Sequence, residues 1–322
     1  MPIPMFDAHC DTINAVMRRG GSLRANAHHL DLSRLGGFGP AAQVFAVWDR
    51  PSGVTTREMN FAGSDFPGAE LETLFEASFG RLLLELEQNR DIITLCTGTD
   101  DAKTAAAQGK IAAFIAIEGT ELVGCSLDKM WSAFERGARI VNITWNHDNK
   151  LSGAAMGSGK GLTEDGRTFV RFLQSIGIAV DVSHISERGF WDICEIASRP
   201  VIASHSSSRA VCDHPRNLTD AQFIALRDMG GAAGINLCPD FIGVGRNIEA
   251  VISHIEHFLS LGGEKTVCLG GDLDGIDDLP SGIRDVRDYA VIYEALLRRG
   301  LTESLVRDIF YNNLLSALGR AL

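Results

Sequence analysis

Apolar runs of strand length recur along the chain, and five of them stop on side chains that bind metals. MFDAHCD ends in His9 and Asp11, IAAFIAIEG in Glu118, IAVDVSH in His184, PVIASH in His205, and VCLGGDLDG in Asp272 and Asp274. From Lys110 onward, the runs IAAFIAIEG, ARIVNITW, IAVDVSH, PVIASH, GAAGINLC and TVCLGGD alternate with longer segments of helical period. MFDAH and AAQVFAVW bring the predicted strands to eight. Helices are predicted over LDKMWSAFERG, GRTFVRFLQSIG, ERGFWDICEIAS, TDAQFIALRDMGG and NIEAVISHIEHFLSLGG, several closing on the glycine that suits the left-handed residue after a helix. Repeated strand-helix units of this kind predict one (β/α)8 barrel of the TIM type, a single domain over residues 1–322. Residues 49–70, rich in Gly, Pro, Ser and Thr, predict a loop over one barrel face. A long helix is predicted over 70–90 and two closing helices over 286–300 and 302–322, the last with Thr302 as cap but without the acid of a full capping box.

Ligands this far apart in sequence can meet only if the strands they end are neighbours, which a closed sheet provides. Five in register predict a hydrolytic metal site at the C-terminal ends of the strands. Alternation in an extended segment puts Asp7, His9 and Asp11 on one side, so His9 and Asp11 can reach the same ion. Glu118 ends an otherwise wholly apolar run, where an unpaired carboxylate costs several kcal/mol, and a bridging position between two cations would satisfy it. His184 and His205 follow consecutive strands, so their imidazoles should be neighbours, with Asp181, Ser183, Ser204 and Ser206 placed to orient the rings. Asp272 ends the last run, where a carboxylate facing the metals can move a proton. Asp274, two residues on, is ranked behind it.

Length and a hydrophobic content of 45% supply a sizeable core. A net charge of −11, with no basic run longer than two residues, argues against a nucleic-acid surface or docking on an anionic membrane. The N-terminal residues lack a basic segment followed by a long apolar stretch, so a soluble, cytoplasmic protein is expected. Seven scattered cysteines without a Cys-x-x-Cys pair argue against disulfide scaffolding. Cys10 lies between two candidate ligands, but alternation turns it away from them.

Other features carry less. GSGKG at 157–161 lacks the first glycine and the final hydroxyl of a phosphate loop. His28-His29 in a polar loop and His254/His257 on a helix exterior predict solvated imidazoles. Ser204 to Ser208 lacks the Gly-x-Ser-x-Gly elbow of a serine nucleophile.

With these residues in place, the chain resembles the membrane (renal) dipeptidase family of zinc peptidases, a branch of the amidohydrolase-type barrels. The resemblance covers almost the whole chain and is carried by DAHCDT, AIEG, DVSH, ASHSSSRAV, HPRN and GGDLDG. It implies two zinc ions, with His9 and Asp11 on one, His184 and His205 on the other, and Glu118 bridging both. It further implies that Arg216 in HPRN binds the terminal carboxylate of a dipeptide substrate and that Asp272 handles the proton. Mammalian members carry a histidine that contacts the tetrahedral intermediate. Here Trp145 stands in that place, and His147, two residues on, is expected to take over by alternation. Broad specificity, D-configured C-terminal residues, a homodimer and a bacterial-type soluble member are also implied. Competing readings are another barrel hydrolase (lactonase, phosphotriesterase or deaminase) and a metal- or peptide-binding protein without turnover. The His-x-Asp first strand and glutamate bridge speak against the former, the complete ligand set with Asp272 against the latter.

Overall fold

The computed structural model describes residues 2–50 and 68–322, so most of the loop expected over 49–70 lies outside the described residues. Its strands are β1 (Met5–Cys10), β2 (Ala41–Val47), β3 (Ile93–Leu95), β4 (Ile111–Glu118), β5 (Ala138–Asn142), β6 (Ala179–Asp181), β7 (Ile202–Ala203), β8 (Ala232–Ile235) and β9 (Val267–Leu269). Every pairing is parallel, and the ring runs β1-β2-β4-β5-β6-β7-β8-β9 and back to β1. These eight are the eight predicted from the apolar runs. The short β3 is additional. It pairs with the start of β4 (Ile93 opposite Ile111), on the flank that β5 takes from Ile115 onward.

Side-chain alternation sorts the strand residues into two layers. Phe6, Ala42, Val44, Phe114, Ala116, Ile140, Ala179, Ile202, Ala232 and Cys268 cluster together and fill the barrel. Their sequence neighbours Met5, Phe45, Ile115, Val141, Val180, Ala203, Ala233 and Val267 pack outward against the helices. A parallel sheet buried on both faces in this way needs runs of continuous rather than alternating hydrophobicity, which is the pattern seen in the sequence. The helices between strands begin where a side chain can satisfy a free N–H: Ser126, Thr163, Ser186, Thr219 and Asn247 accept from the third residue onward.

The predicted closing helix over 302–322 is three pieces: Glu303–Arg307, a π-turn over Asp308–Asn312, and Asn313–Ala321. Thr302 caps it, its hydroxyl accepting from the Leu305 N–H at 3.3 Å. Tyr311, Leu314 and Leu318 join the interior layer, and the Tyr311 ring sits 5.8 Å from Phe6 near the start of β1. This segment therefore plugs the end of the barrel where strands begin. The other end is left for chemistry. Among the described residues, no helix is long and apolar enough to cross a membrane.

Candidate active site

All five proposed ligands and Asp272 lie at that open end. His9 is near the end of β1 with Asp11 just beyond it, Glu118 closes β4, and His184, His205 and Asp272 follow β6, β7 and β9 within three residues. His184, Asp272 and Asp274 hold positive φ angles of 72°, 59° and 71°, a backbone region costly for any residue but glycine and sustained here by the surrounding contacts.

β1 departs from the expected alternation. Phe6 and Ala8 belong to the interior layer, whereas Cys10 packs outward, and the pairing with β2 shifts register between Asp7 and Cys10. Alternation is broken there, so Asp7 does not share a side with His9 and Asp11. Its carboxylate accepts from the Tyr289 hydroxyl and from the backbone N–H groups of His9 at 2.9 Å and Gly271 at 3.1 Å. It thereby ties the backbone at His9 to that just before Asp272.

Glu118 stands at the centre. Its Oε2 is 3.6 Å from His9 Nε2, while its Oε1 is 2.9 Å from His184 Nε2 and 3.6 Å from His205 Nε2. His9 Nε2 is 3.3 Å from Asp11 Oδ2 and 4.0 Å from Asp272 Oδ1, and the two other Nε2 atoms converge to 2.7 Å. The structure thus brings His9, Asp11, Glu118, His184 and His205 together, with one Glu118 oxygen directed to each half of the set. Both ring nitrogens of His9 and Asp11 Oδ1 are buried without a hydrogen-bond partner among the described residues. That donor set suits cations.

The electrostatics agree. Burial disfavours a charged His9, but Glu118 and Asp11 outweigh it and hold its pKa well above the ordinary value. Burial, reinforced by Glu118, pushes Asp11 up to about 8. It also pushes Asp272 up to about 6, where His9 opposes the effect and Glu118 adds to it. His184 is lowered to about 3 by burial and then by Arg216, leaving a neutral imidazole able to ligate. Packed carboxylates of this kind titrate against one another until positive charge enters among them.

The two imidazoles of the second half are held from behind. His205 Nδ1 meets Ser204 Oγ at 2.6 Å, and His184 Nδ1 meets Asn146 Oδ1 at 2.8 Å, which turns each Nε2 toward Glu118. Asp181 acts on the backbone rather than on a ring: its Oδ1 accepts from Ser183 N at 2.9 Å and Ser204 N at 3.0 Å, the residues just before His184 and His205. Ser183 Oγ accepts from His205 N and receives Ser206 Oγ, both at 3.1 Å. Asn236 Nδ2 donates to Asp272 Oδ2 at 3.1 Å. Asn146 and Asn236 gave no signal in the sequence, because a lone asparagine after a strand is common.

Gly275 lies against this group, and a Cβ there would overlap the carboxylate oxygens of Asp11 and Asp272. Gly275→Ala is expected to weaken metal binding by roughly 10- to 100-fold, the scale for disturbing the support of a ligand. Equilibrium dialysis with elemental analysis measures it; undiminished affinity would mean that the loop yields instead.

Arg216 is buried, not on the surface. Its Nη2 is 2.9 Å from His184 Nε2, and its Nε is buried without a hydrogen-bond partner among the described residues. It lines a cavity of about 210 Å³ together with Trp48, Trp145, Asn146, Phe241 and Ile276. His147 does not line that cavity. β5 ends at Asn142 and the chain bends through 145–147, so alternation no longer applies, and His147 Nε2 lies 3.6 Å from Glu121 instead. Asp274 is committed elsewhere, accepting from Thr12 Oγ1 and the His29 N–H at 2.6 Å each. The His29 ring is engaged as well, its Nδ1 accepting from the Asp274 N–H at 3.1 Å, so His29 is a partner in the fold rather than a solvated side chain. His254 is likewise fully buried, its Nδ1 accepting from Ser208 N at 3.0 Å.

A closed parallel barrel with imidazoles and carboxylates converging at the strand ends defines a metal-dependent hydrolase. The chain matches the membrane dipeptidase family, peptidase family M19, over residues 1–321, and it belongs to that family as a metallo-dipeptidase. A metallo peptidase from Rhodobacter sphaeroides, solved with a phosphinate mimic of the dipeptide L-Ala-D-Ala, is 28% identical with a TM-score of 0.90 over 100% of both chains. Dipeptidase AC, a metallo peptidase of family M19, is 26% identical with a TM-score of 0.87, covering 100% of this chain and 99% of its own. An uncharacterized dipeptidase of Schizosaccharomyces pombe is 32% identical over 212 residues, 64% of this chain and 52% of its own length.

Proposed function

We propose that this metallo-dipeptidase holds two zinc ions and hydrolyses free dipeptides, including those with a D-residue at the C-terminal position. The observation that carries the reading is Arg216. A buried guanidinium with an unpartnered Nε, facing a small cavity beside the ligand cluster, is a receptor for a carboxylate. His9 and Asp11 would hold one ion, His184 and His205 the other, and Glu118, with an oxygen toward each pair, would bridge them. When bound, zinc supplies Lewis acidity, polarising the scissile carbonyl and lowering the pKa of water to about 7.

The chain's own groups do the rest. Arg216 takes the C-terminal carboxylate in two parallel hydrogen bonds and so fixes the distance from that carboxylate to the scissile bond. Asp272, steadied by Asn236, accepts a proton from the attacking water and delivers it to the leaving nitrogen as the C–N bond breaks. Trp48 and Trp145, with ring centroids 4.7 Å apart, form an apolar wall that limits water. The carboxylate requirement selects short peptides over long ones. The phosphinate bound by the R. sphaeroides relative mimics a dipeptide ending in D-Ala, which supports the stereochemical part of the reading.

A dipeptide library spanning both configurations at each position, assayed on zinc-loaded enzyme, is expected to give turnover of free dipeptides with D-residues accepted at the second position. Elemental analysis of the active preparation is expected to give two metals per chain. Full activity with one metal would overturn the binuclear centre.

A further inference from the structure

We propose that Asn146 is a catalytic residue, its side-chain amide donating a hydrogen bond to the scissile carbonyl oxygen as that oxygen gains negative charge. The inference rests on the dipeptidase reading and adds to it the donor that the position of His147 leaves unassigned.

Four side-chain donors along the cavity are already engaged or assigned. Asn14 is used at both ends, donating to Trp48 O at 2.9 Å and accepting from Arg18 Nε at 3.1 Å. Arg18 also reaches Asp49 and the Arg50 carbonyl, and Arg19 pairs with Asp277 at 3.4 Å on the rim. Arg216 has the carboxylate to hold. Asn146 differs from these four. Its Oδ1 accepts from His184 Nδ1–H, an orientation forced by His184 directing Nε2 at Glu118, and this fixes which end of the amide is nitrogen. Among the described residues no hydrogen bond engages Nδ2, and the residue lines the cavity next to His184.

The bend carrying Asn146 is also held rigid. Glu121 accepts from Asn149 Nδ2 at 2.9 Å, while His147 Nε2 stands 3.6 Å away. Asn149 additionally donates to the Ile143 carbonyl at 2.7 Å. The residues that follow Asn146 are therefore held against one half-buried carboxylate. A donor fixed before charge develops costs no reorganisation during reaction, which is what makes such groups effective. His147 contributes by bracing this bend.

Asn146→Asp separates the two roles of the side chain, because it keeps an oxygen facing His184 Nδ1–H and loses the N–H donors. It is expected to retain its metals, to keep KM within about threefold, and to lose kcat by roughly 100-fold. Inhibition by a phosphinate dipeptide mimic is expected to weaken by the same factor as kcat/KM. Asn146→Ala, which removes donor and acceptor together, is expected to lose metal as well. If Asn146→Asp keeps kcat within a few-fold, or loses metal in proportion to activity, Asn146 only positions His184 and the proposal is overturned. Native zinc-loaded enzyme without dipeptide turnover would instead overturn the dipeptidase reading beneath it.

Discussion

Asp272→Asn is expected to lower turnover by roughly 100-fold or more, up to about 10,000-fold, the range for losing a positioned acid-base group. The substitution keeps shape and the approach to Asn236, so KM should move little. What disappears is the ability to take a proton from water and hand it on. Steady-state kinetics on a dipeptide, with metal content measured on the same preparation, tests this. Asp272 Oδ1 is 4.0 Å from His9 Nε2 and close to Asp11, so proportionate loss of metal would make Asp272 a ligand rather than a proton carrier. Near-normal turnover would remove it from the chemistry altogether. Asp274 would not replace it, since both of its oxygens are occupied by Thr12 and His29.

Arg216→Met is expected to cost about 2–4 kcal/mol in kcat/KM for free dipeptides, the scale for losing a buried charged hydrogen-bond partner. Methionine fills similar volume without donors, so the loss reports on the guanidinium itself. Amidated dipeptides should already be poor substrates of the native enzyme and should lose much less on mutation, because the interaction is missing beforehand. Equal losses for free and amidated substrates would mean that the Arg216 side chain serves the site itself, through its Nη2 lying 2.9 Å from His184 Nε2, and not the substrate.

Much of the barrel is legible in the sequence for a physical reason: strands buried on both faces read as uninterrupted apolar runs, and eight such runs stand out from their helical neighbours. β3 escapes because three residues, Ile93–Leu95, pair only with the start of β4 and leave too short a pattern. The convergence of His9, Glu118, His184 and His205 follows from their shared place at strand ends. Arguments from alternation succeed only while the strand lasts. They fail for Asp7, where β1 shifts register, and for His147, beyond the end of β5. Polar supports such as Asn146, Asn236 and Tyr289 come from loops and helices distant in sequence, and nothing in their local surroundings marks them. The burial of His254 was hidden similarly, since its partners Ser208 and Ile242 lie on other segments.

Asp181 has a wider consequence. The seam between β2 and β4 runs through six paired positions, whereas β6 and β7 share a single one, Asp181 opposite Ile202, as do β1 and β9, Asp7 opposite Leu269. Main-chain cohesion is therefore distributed unevenly around the ring. At β2 and β4, beside Glu118, the wall is zipped by its own ladder. Between His184 and His205 it is stitched by side chains, chiefly one carboxylate gripping two neighbouring turns. A seam with one backbone pair is held by such a stitch, so fold integrity and the alignment of two imidazoles depend there on the same pair of hydrogen bonds.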